Sequence, residues 1–254
     1  MNSDALSAST RKMVLSLATA KGRKAAGAFV AEGTRCVIDS LGKFPLLHLF
    51  ATAEWIAEHP QHSNHATQVS TRDIERMSQQ KTPQPVLAVF CLPEIPSYAY
   101  DGEMALALDA VQDPGNLGTI IRLADWFGIR HVIAGAGTAD AFAPKVVQAT
   151  MGALARVMVH RTDNLAETLR NSGAPIIGTF LDGQDLYGSE LPLSPRPIVV
   201  MGNEGNGISA EVEASVNHRV LIPSFPPGRQ TSESLNVAMA SGIIISELSR
   251  RIYG

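Results

Sequence analysis

Residues 220–251 of the chain read VLIPSFPPGRQTSESLNVAMASGIIISELSRR. The apolar run at 220–222 predicts a short strand, and the prolines and glycine after it predict a turn. Ser232 and Ser234 precede the next apolar pattern and predict the N-cap of a helix over 233–251. Unpaired backbone N–H groups at a helix start can bind a ligand, so this stretch predicts a binding site. The helix is apolar on more than one side, which indicates that it is enclosed or contacts a second subunit.

The chain before this stretch alternates between strands and helices. The strands are apolar throughout, which is typical of a mostly parallel sheet covered on both faces. The predicted strands lie at 104–111, 131–134, 155–159, 175–180, 198–201 and 220–222, and the predicted helices at 116–127, 144–151, 165–172, 209–216 and 233–251. We therefore predict an α/β domain over residues 104–254.

The first part of the chain shows the same alternation on a smaller scale. Its predicted strands lie at 29–31, 46–50, 66–69 and 86–92, and its predicted helices at 34–41, 53–58 and 71–79. A polar segment with two prolines, residues 93–98, follows and is typical of a linker. We predict a smaller α/β domain over residues 1–95 and a linker over 96–103.

A polar turn, DPG at 113–115, follows the predicted strand at 104–111 and opens a helix. Asn116 is the predicted N-cap, and an apolar stripe beginning at Leu117 is predicted to face the core. Arg122 lies nearly opposite that stripe, with Trp126 about one turn further on. A lone arginine on an outer helix face is usually solvated, but an outward Trp beside it is typical of an interface or a nucleic-acid contact.

A second turn, with the sequence MGNEGNGIS at 201–209, leads from a strand into a helix. Gly202, Gly205 and Gly207 would let the backbone approach a ligand closely, although a tight connection that needs positive φ explains them as well. The spacing matches neither the dinucleotide fingerprint nor the phosphate loop. Glu204 within the turn argues against a polyanion there. The carboxyl ends of parallel strands share one edge of a sheet, so these turns are expected to lie together.

Composition limits how the chain could bind nucleic acid. It has 254 residues and a net charge of −3, so a nucleic-acid surface must come from a local patch. One basic run has no acidic residue within it and comprises Arg11, Lys12, Lys21, Arg23 and Lys24. On charge alone, a solvated polar helix face with a loop is the commoner explanation of such a run.

Cysteine usage and hydropathy indicate a reduced, cytoplasmic protein. Cys36 and Cys91 are the only cysteines, and both lie in apolar settings. No apolar run reaches the roughly 18 residues that a membrane span needs, so no membrane association is expected. The histidines at 59, 62 and 65 have no cysteine or acidic partner, and we predict no metal site.

Three segments in order, NLGTIIRLAD (116–125), IVVMGNEGNGIS (198–209) and SLNVAMASGI (234–243), closely resemble the motifs of the SpoU (TrmH) family. This family consists of RNA ribose 2'-O-methyltransferases of the SPOUT superfamily. The resemblance covers residues 105–250, including APKVVQATMGA at 143–153, which is similar to the family's intervening segment. The first part, with KGRKAAGAFVAEGTRCVIDSL at 21–41, resembles the family's N-terminal RNA-substrate-binding domain.

The resemblance implies a deep trefoil knot in the C-terminal part, a homodimer, and S-adenosylmethionine as the methyl donor. The implied cofactor-binding residues are Met201, Gly202, Gly205, Ile222 and Leu235. The implied catalytic residues are Asn116, Arg122, Glu204, Ser234 and Asn236. By the same resemblance, Arg122 contacts the target nucleotide and assists loss of the 2'-hydroxyl proton. Because a guanidinium stays protonated, stabilisation of negative charge on the ribose oxygen is easier to defend than action as a base, and the two roles remain alternatives. The implied substrate is ribosomal RNA more than transfer RNA, bound by the basic run.

Two other functions remain open at this stage. One is a non-catalytic RNA-binding or ribosome-assembly factor that kept the fold. A more distant one is a nucleotide-using doubly wound enzyme, which the missing phosphate loop disfavours. The turn at 223–234 is also longer than the family usually has, which leaves the positions of Ser234 and Arg229 unpredicted.

Overall fold

The computed structural model describes residues 7–188, 190–228 and 232–254, and the chain divides into two compact units. The first unit comprises the chain up to Glu94 together with Asp140–Ala155. The second unit comprises Ile95–Ala139 and Arg156–Gly254. The chain passes from the first unit to the second after Glu94, within the polar segment at 93–98.

The first unit is built on a mixed sheet of four strands in the described residues, with the order β1-β4-β2-β3. Strand β4 is antiparallel to β1 and β2, whereas β2 and β3 are parallel. The strands are β1 (Ala28–Glu32), β2 (Leu46–Ala51), β3 (Ala66–Gln68) and β4 (Val86–Cys91), and the helices are α1 (Ala8–Ser16), α2 (Ala20–Ala26), α3 (Thr34–Ser40), α4 (Ala53–Glu58) and α5 (Thr71–Met77). These positions confirm the strand and helix pattern predicted for the first ninety or so residues.

The second unit is built on a parallel sheet that, over the described residues, has six strands in the order β10-β8-β9-β5-β6-β7. The strands are β5 (Ala105–Leu108), β6 (His131–Ala134), β7 (Met158–Arg161), β8 (Ile176–Asp185), β9 (Ile198–Met201) and β10 (His218–Leu221), and the remaining helices are α6 (Pro114–Trp126), α7 (Pro144–Thr150), α8 (Leu165–Ser172), α9 (Ala210–Glu213) and α10 (Val237–Tyr253). The central strands β5 and β9 are fully buried, which confirms the predicted parallel sheet. None of these described helices is long and apolar enough to cross a membrane.

The sheet differs from the predicted pattern in the bounds of several strands, and two of these differences have a visible structural cause. Strand β7 begins at Met158 rather than at 155, because Ala153–Ala155 form a 3-10 turn. Strand β8 is longer than predicted and changes register against β10: Arg219 pairs with Gly178, but Val220 pairs with Gln184. The residues between Gly178 and Gln184 therefore bulge away from the ladder, a feature that hydrophobic periodicity does not encode.

Residues 140–155 belong to the first unit, although the sequence places them between strands of the second. The Phe142 ring packs on Phe29 with 4.9 Å between centroids, and the Cys36 Sγ lies 3.7 Å from the Val147 carbonyl oxygen. The Arg23 guanidinium pairs with Asp140 at 2.5 Å. The segment thus packs against residues more than a hundred positions earlier in the chain, which local patterning cannot indicate.

Arg23 does not belong to an RNA-binding surface, and the prediction that it does is wrong. Only 3% of the residue is exposed. Its guanidinium donates to the carbonyl oxygens of Leu17 at 2.8 Å and Ala18 at 3.2 Å, as well as to Asp140. Buried charges require such partners, so Arg23 holds the first unit together.

We expect Arg23→Ala to lower the free energy of unfolding by about 3 kcal/mol, because it leaves Asp140 and two carbonyl groups without their donor. Lys24→Ala, a change at the exposed neighbour, is expected to cost less than about 0.5 kcal/mol. Urea unfolding of both variants measures the difference. Equal stability of the two variants would contradict the structural role of Arg23.

Candidate active site

Helix α6 begins two residues earlier than predicted, and its N-cap is Asp113 rather than Asn116. The Asp113 Oδ1 accepts a hydrogen bond from the Asn116 backbone N–H at 2.8 Å, and Pro114 occupies the first helical position. Aspartate is a preferred N-cap residue, and proline is favoured at the first helical position because it has no N–H to leave unpaired there. Because Asp113 caps the helix, the side chain of Asn116 is free to make other contacts.

The side chain of Asn116 joins Glu204 to Asn236. Its Nδ2 donates to the Glu204 Oε1 at 3.0 Å, and its Oδ1 accepts from the Asn236 Nδ2 at 3.0 Å. These residues lie 88 and 120 positions from Asn116 in sequence. We call this chain of side chains the Glu-Asn-Asn relay. It brings together one residue from each of the three motif segments.

Asn236 also forms the N-cap of α10. Its Oδ1 accepts hydrogen bonds from the backbone N–H groups of Ala238 at 3.0 Å and Met239 at 3.2 Å. The helix therefore starts at Val237, and the predicted start at 233 with a serine cap is wrong. With its acceptor engaged by the helix, Asn236 directs its donor toward Asn116, so the starts of α6 and α10 are linked.

The glycines of the turn after β9 serve the turn itself. A β-carbon at Gly202 would lie 2.3 Å from the Gly207 carbonyl carbon, closer than any side chain permits. Gly207 has φ of 69°, in the left-handed region that favours glycine. Gly205 is exposed, and a β-carbon there would make only an ordinary contact. The tight-connection interpretation thus holds for two of the three glycines.

Glu204 is held in its ionised form. Burial would raise the pKa of its carboxyl, but hydrogen bonds from the Asn116 side chain and from backbone N–H groups, including those of Asp113 and Gln112, outweigh burial. The pKa therefore lies below its ordinary value. An ionised Glu204 accepts hydrogen bonds only, which fixes the Asn116 amide with its nitrogen toward Glu204.

Arg122 and Trp126 lie on the outer face of α6, as predicted. Arg122 is exposed and 84% of Trp126 is exposed, whereas Leu117 and Ile120 are fully buried. Ser234 is exposed as well and precedes α10 in non-helical backbone. Among the described residues, neither Arg122 nor Ser234 is a partner in the Glu-Asn-Asn relay, so the fold brings together three of the five predicted catalytic residues.

Four of the five predicted cofactor-binding residues lie at or after the carboxyl ends of β9 and β10, two parallel strands that β8 separates in the sheet. Met201 ends β9 and is buried, and Ile222 follows β10 and is half-buried. Leu235 precedes α10 and is 49% exposed. Apolar side chains that remain accessible, as those of Ile222 and Leu235 do, are of the kind that can contact the flat apolar faces of a nucleoside. Arg229 lies outside the described residues.

Sequence reasoning missed two aspartates that shape the site. Asp113 is the cap described above, and the Asp-Pro pair at 113–114 is a signal that could have identified it. Asp109 accepts a hydrogen bond from the Ser209 backbone N–H at 2.7 Å, which connects the loop after β5 to the start of α9. No local pattern indicates Asp109, because its partner lies 100 residues away.

Two family models match the chain. Residues 103–246 match the model of the SpoU rRNA Methylase family, and residues 10–88 match an MRM3-like substrate binding domain. The two matches leave residues 89–102 uncovered.

Curated relatives match over most of the chain. A 23S rRNA (guanosine(2553)-2'-O)-methyltransferase, RlmP of Bacillus subtilis, is 35% identical over 68% of this chain and 67% of its own length. An uncharacterized tRNA/rRNA methyltransferase of Synechocystis is 31% identical over 94% of this chain and 90% of its own length.

Solved structures match the whole architecture. A protein of the TrmH family from Porphyromonas gingivalis has a TM-score of 0.87 and 45% identity, covering 97% of this chain and 99% of its own. An AdoMet-bound rRNA methyltransferase from Sinorhizobium meliloti has a TM-score of 0.85 and 28% identity, covering 98% of this chain and 97% of its own.

Proposed function

Since the chain belongs to the SpoU rRNA methylase family and is an S-adenosylmethionine-dependent RNA methyltransferase, we propose that it methylates a ribose 2'-hydroxyl of ribosomal RNA at the Glu-Asn-Asn relay. The observation that carries the proposal is the relay itself, which joins Glu204, Asn116 and Asn236 through two 3.0 Å hydrogen bonds. A non-catalytic RNA-binding factor would not need these three polar side chains fixed against one another.

The relay provides a preorganised polar surface. The ionised Glu204 fixes the Asn116 amide, and the helix start of α10 fixes Asn236. Side chains held in this way lose little entropy when a nucleotide binds, and they align the ribose for in-line attack. We propose that Ser234, exposed just before Asn236, completes the contacts to the ribose.

S-adenosylmethionine supplies an electrophilic methyl group on a positively charged sulfur. We propose that residues at the sheet edge hold it, chiefly through the backbone near Met201, Gly202 and Gly205 and the side chains of Ile222 and Leu235. Arg122 then stabilises the negative charge that develops on the 2'-oxygen and binds the adjacent phosphate. The 2'-oxygen takes the methyl group as its bond to the sulfonium sulfur breaks, which leaves S-adenosylhomocysteine, and the 2'-hydroxyl proton passes to water. As a permanently charged group Arg122 acts by electrostatics only.

Calorimetry with S-adenosylmethionine and with ATP tests the cofactor assignment without requiring activity. We expect saturable binding of S-adenosylmethionine and no binding of ATP. Binding of ATP alone would instead support a nucleotide-using doubly wound enzyme.

We propose further that the C-terminal part is tied in a trefoil knot and that the protein is a homodimer. Exposed apolar side chains on the two helices that pack together support the dimer: Trp126 on α6 is 84% exposed, and Met239 on α10 is 62% exposed. Apolar groups on adjoining helices are typical of a subunit interface. Light scattering is expected to give twice the mass of the chain, and a monomer mass would contradict the proposal.

The RNA is proposed to bind the basic run of the first unit, without Arg23. Lys12, Lys21 and Lys24 are exposed, whereas Arg11 is partly covered and lies 4.0 Å from Asp73. The cytoplasmic location stays a prediction, supported by the unpaired Cys36 and Cys91.

We expect replacement of Lys12, Lys21 and Lys24 by alanine to weaken RNA binding and to lower the salt slope of log Kd by about 1 per lysine that contacts a phosphate. A control with the same charge change uses exposed basic residues outside the run, Lys43, Arg72 and Lys81. Filter binding across a salt series measures both variants. An equal loss of affinity in the two would place the RNA elsewhere.

A further inference from the structure

We propose that Asn203 is a positioning residue for methyl transfer: its side-chain amide fastens the turn after β9 to the loop after β5 and thereby sets the direction of Glu204. The inference rests on the proposed function, because it assigns to Asn203 a part in building the Glu-Asn-Asn relay. Asn203 is not one of the three residues of the relay.

The two ends of the Asn203 amide serve different segments. Its Oδ1 accepts hydrogen bonds from the backbone N–H groups of Gly205 at 2.9 Å and Asn206 at 3.0 Å, which closes the turn around Glu204. Its Nδ2 donates to the Ala110 carbonyl oxygen at 2.8 Å, in the loop after β5. The backbone of Asn203 adds two further hydrogen bonds to Gly207, so the turn is fixed at both of its ends.

Ala110, the partner across the two loops, has an unusual backbone. Its φ is 55°, in a left-handed region that residues other than glycine rarely adopt. A residue holds such a conformation only when its surroundings fix it. The hydrogen bond from Asn203 fixes the direction of the Ala110 carbonyl and therefore the path of the residues that follow.

Those following residues supply the donors to Glu204. The backbone N–H groups of Gln112 and Asp113 lie 3.4 Å from the two carboxylate oxygens of Glu204. Both nitrogen–oxygen distances are long for hydrogen bonds, so a small shift of either loop would break these two contacts. The amide of Asn203 thus positions the Glu204 carboxylate through the turn. Through Ala110, the same amide positions the Gln112 and Asp113 N–H groups that donate to this carboxylate.

The two functions of the amide can be separated by substitution. In Asn203→Asp the Oδ1 can still accept from Gly205 and Asn206, but the donor to Ala110 is replaced by an oxygen that repels the carbonyl. In Asn203→Ala both contacts are lost. Asn206→Asp is the control, since it adds the same charge to the same turn at an exposed residue whose side chain has no part in the bridge.

Two readouts of the purified full chain test the proposal. The first is kcat for methyl transfer to ribosomal RNA, which we expect to fall about 100-fold in Asn203→Asp and Asn203→Ala and to change less than about 2-fold in Asn206→Asp. The second is the pKa of the Glu204 carboxyl, measured by NMR titration with Glu204→Gln for assignment. We expect it to rise in both Asn203 variants and to stay below its ordinary value in the control.

If Asn203→Asp keeps the activity and the Glu204 pKa of the control, Asn203 only shapes its own turn and the proposal is overturned. Because Asn203→Asp retains the turn contacts, it provides this answer even if Asn203→Ala fails to fold. If the unaltered chain transfers no methyl group, the proposed function fails, whereas the NMR titration still decides whether Asn203 positions Glu204.

Discussion

Replacement of Arg122 by alanine is expected to lower the rate of methyl transfer about 1000-fold while the binding of S-adenosylmethionine persists. Arg122 is the exposed cation on the outer face of α6, one residue after the buried Ile121 and about 1.7 turns from the relay residue Asn116. A preorganised donor that stabilises developing negative charge typically contributes 10²- to 10³-fold to kcat. Loss of a phosphate contact adds to this effect.

Single-turnover incorporation of labelled methyl groups into ribosomal RNA measures the rate, and calorimetry measures cofactor binding. Arg130→Ala is the matched control, because Arg130 is exposed and its ion pair with Asp101 at 2.9 Å is of the kind that contributes little. Arg122→Lys keeps the charge without the planar fork and is expected to recover only part of the rate. Normal activity of Arg122→Ala would remove Arg122 from the mechanism.

Asn116→Asp is expected to lower kcat about 100-fold or more. The substitution replaces the amide that donates to Glu204 with a carboxylate oxygen, so that two negative charges meet about 3 Å apart. Repulsion between the carboxylates of Glu204 and the new aspartate then raises the pKa of the pair. The relay also loses the hydrogen bond that orients the residue 116 side chain toward Glu204. The Asn236 Nδ2 can still donate to a carboxylate oxygen at position 116. The loss in kcat therefore measures the effect of the contact to Glu204 alone.

The control for this prediction is Asn171→Asp, the same chemical change at an exposed residue of α8. The rate of methyl transfer is measured for both variants from pH 6 to pH 8. Because the added charge disfavours ionisation of the pair, the Asn116→Asp rate is expected to depend on pH more steeply than the control. A rate equal to that of the control at every pH would show that the relay is not required.

Local patterning in the sequence predicts most of the second unit. The strand at 131–134, the strand at 198–201 and the helix at 165–172 have the predicted bounds, because each is a continuous apolar or amphipathic segment with clear ends. The outward orientation of Arg122 also follows from helical periodicity. These features depend on residues that are close in sequence, and hydrophobic periodicity reports on such residues.

Features that depend on distant partners were missed or misplaced. Arg23 lies in a basic run, which predicts an exposed side chain. Its partner Asp140 lies 117 residues away, so the local sequence does not indicate that the side chain is buried. The relay likewise depends on side chains 88 and 120 residues apart. The motif resemblance identified Glu204, Asn116 and Asn236 as members of one site, but it could not indicate which atoms meet. Which atoms of the relay meet depends on helix capping: Asp113 caps α6 and leaves the Asn116 side chain available, and Asn236 caps α10 through its Oδ1 and donates through its Nδ2.

The most direct test of the central claim is a map of 2'-O-methyl nucleosides in ribosomal and transfer RNA from a strain that lacks this gene, made by nuclease digestion and mass spectrometry. We predict that one ribose methyl group disappears from ribosomal RNA, returns when the unaltered gene is restored, and stays absent when the Arg122→Ala gene is supplied. Unchanged ribose methylation in both classes of RNA would contradict the account.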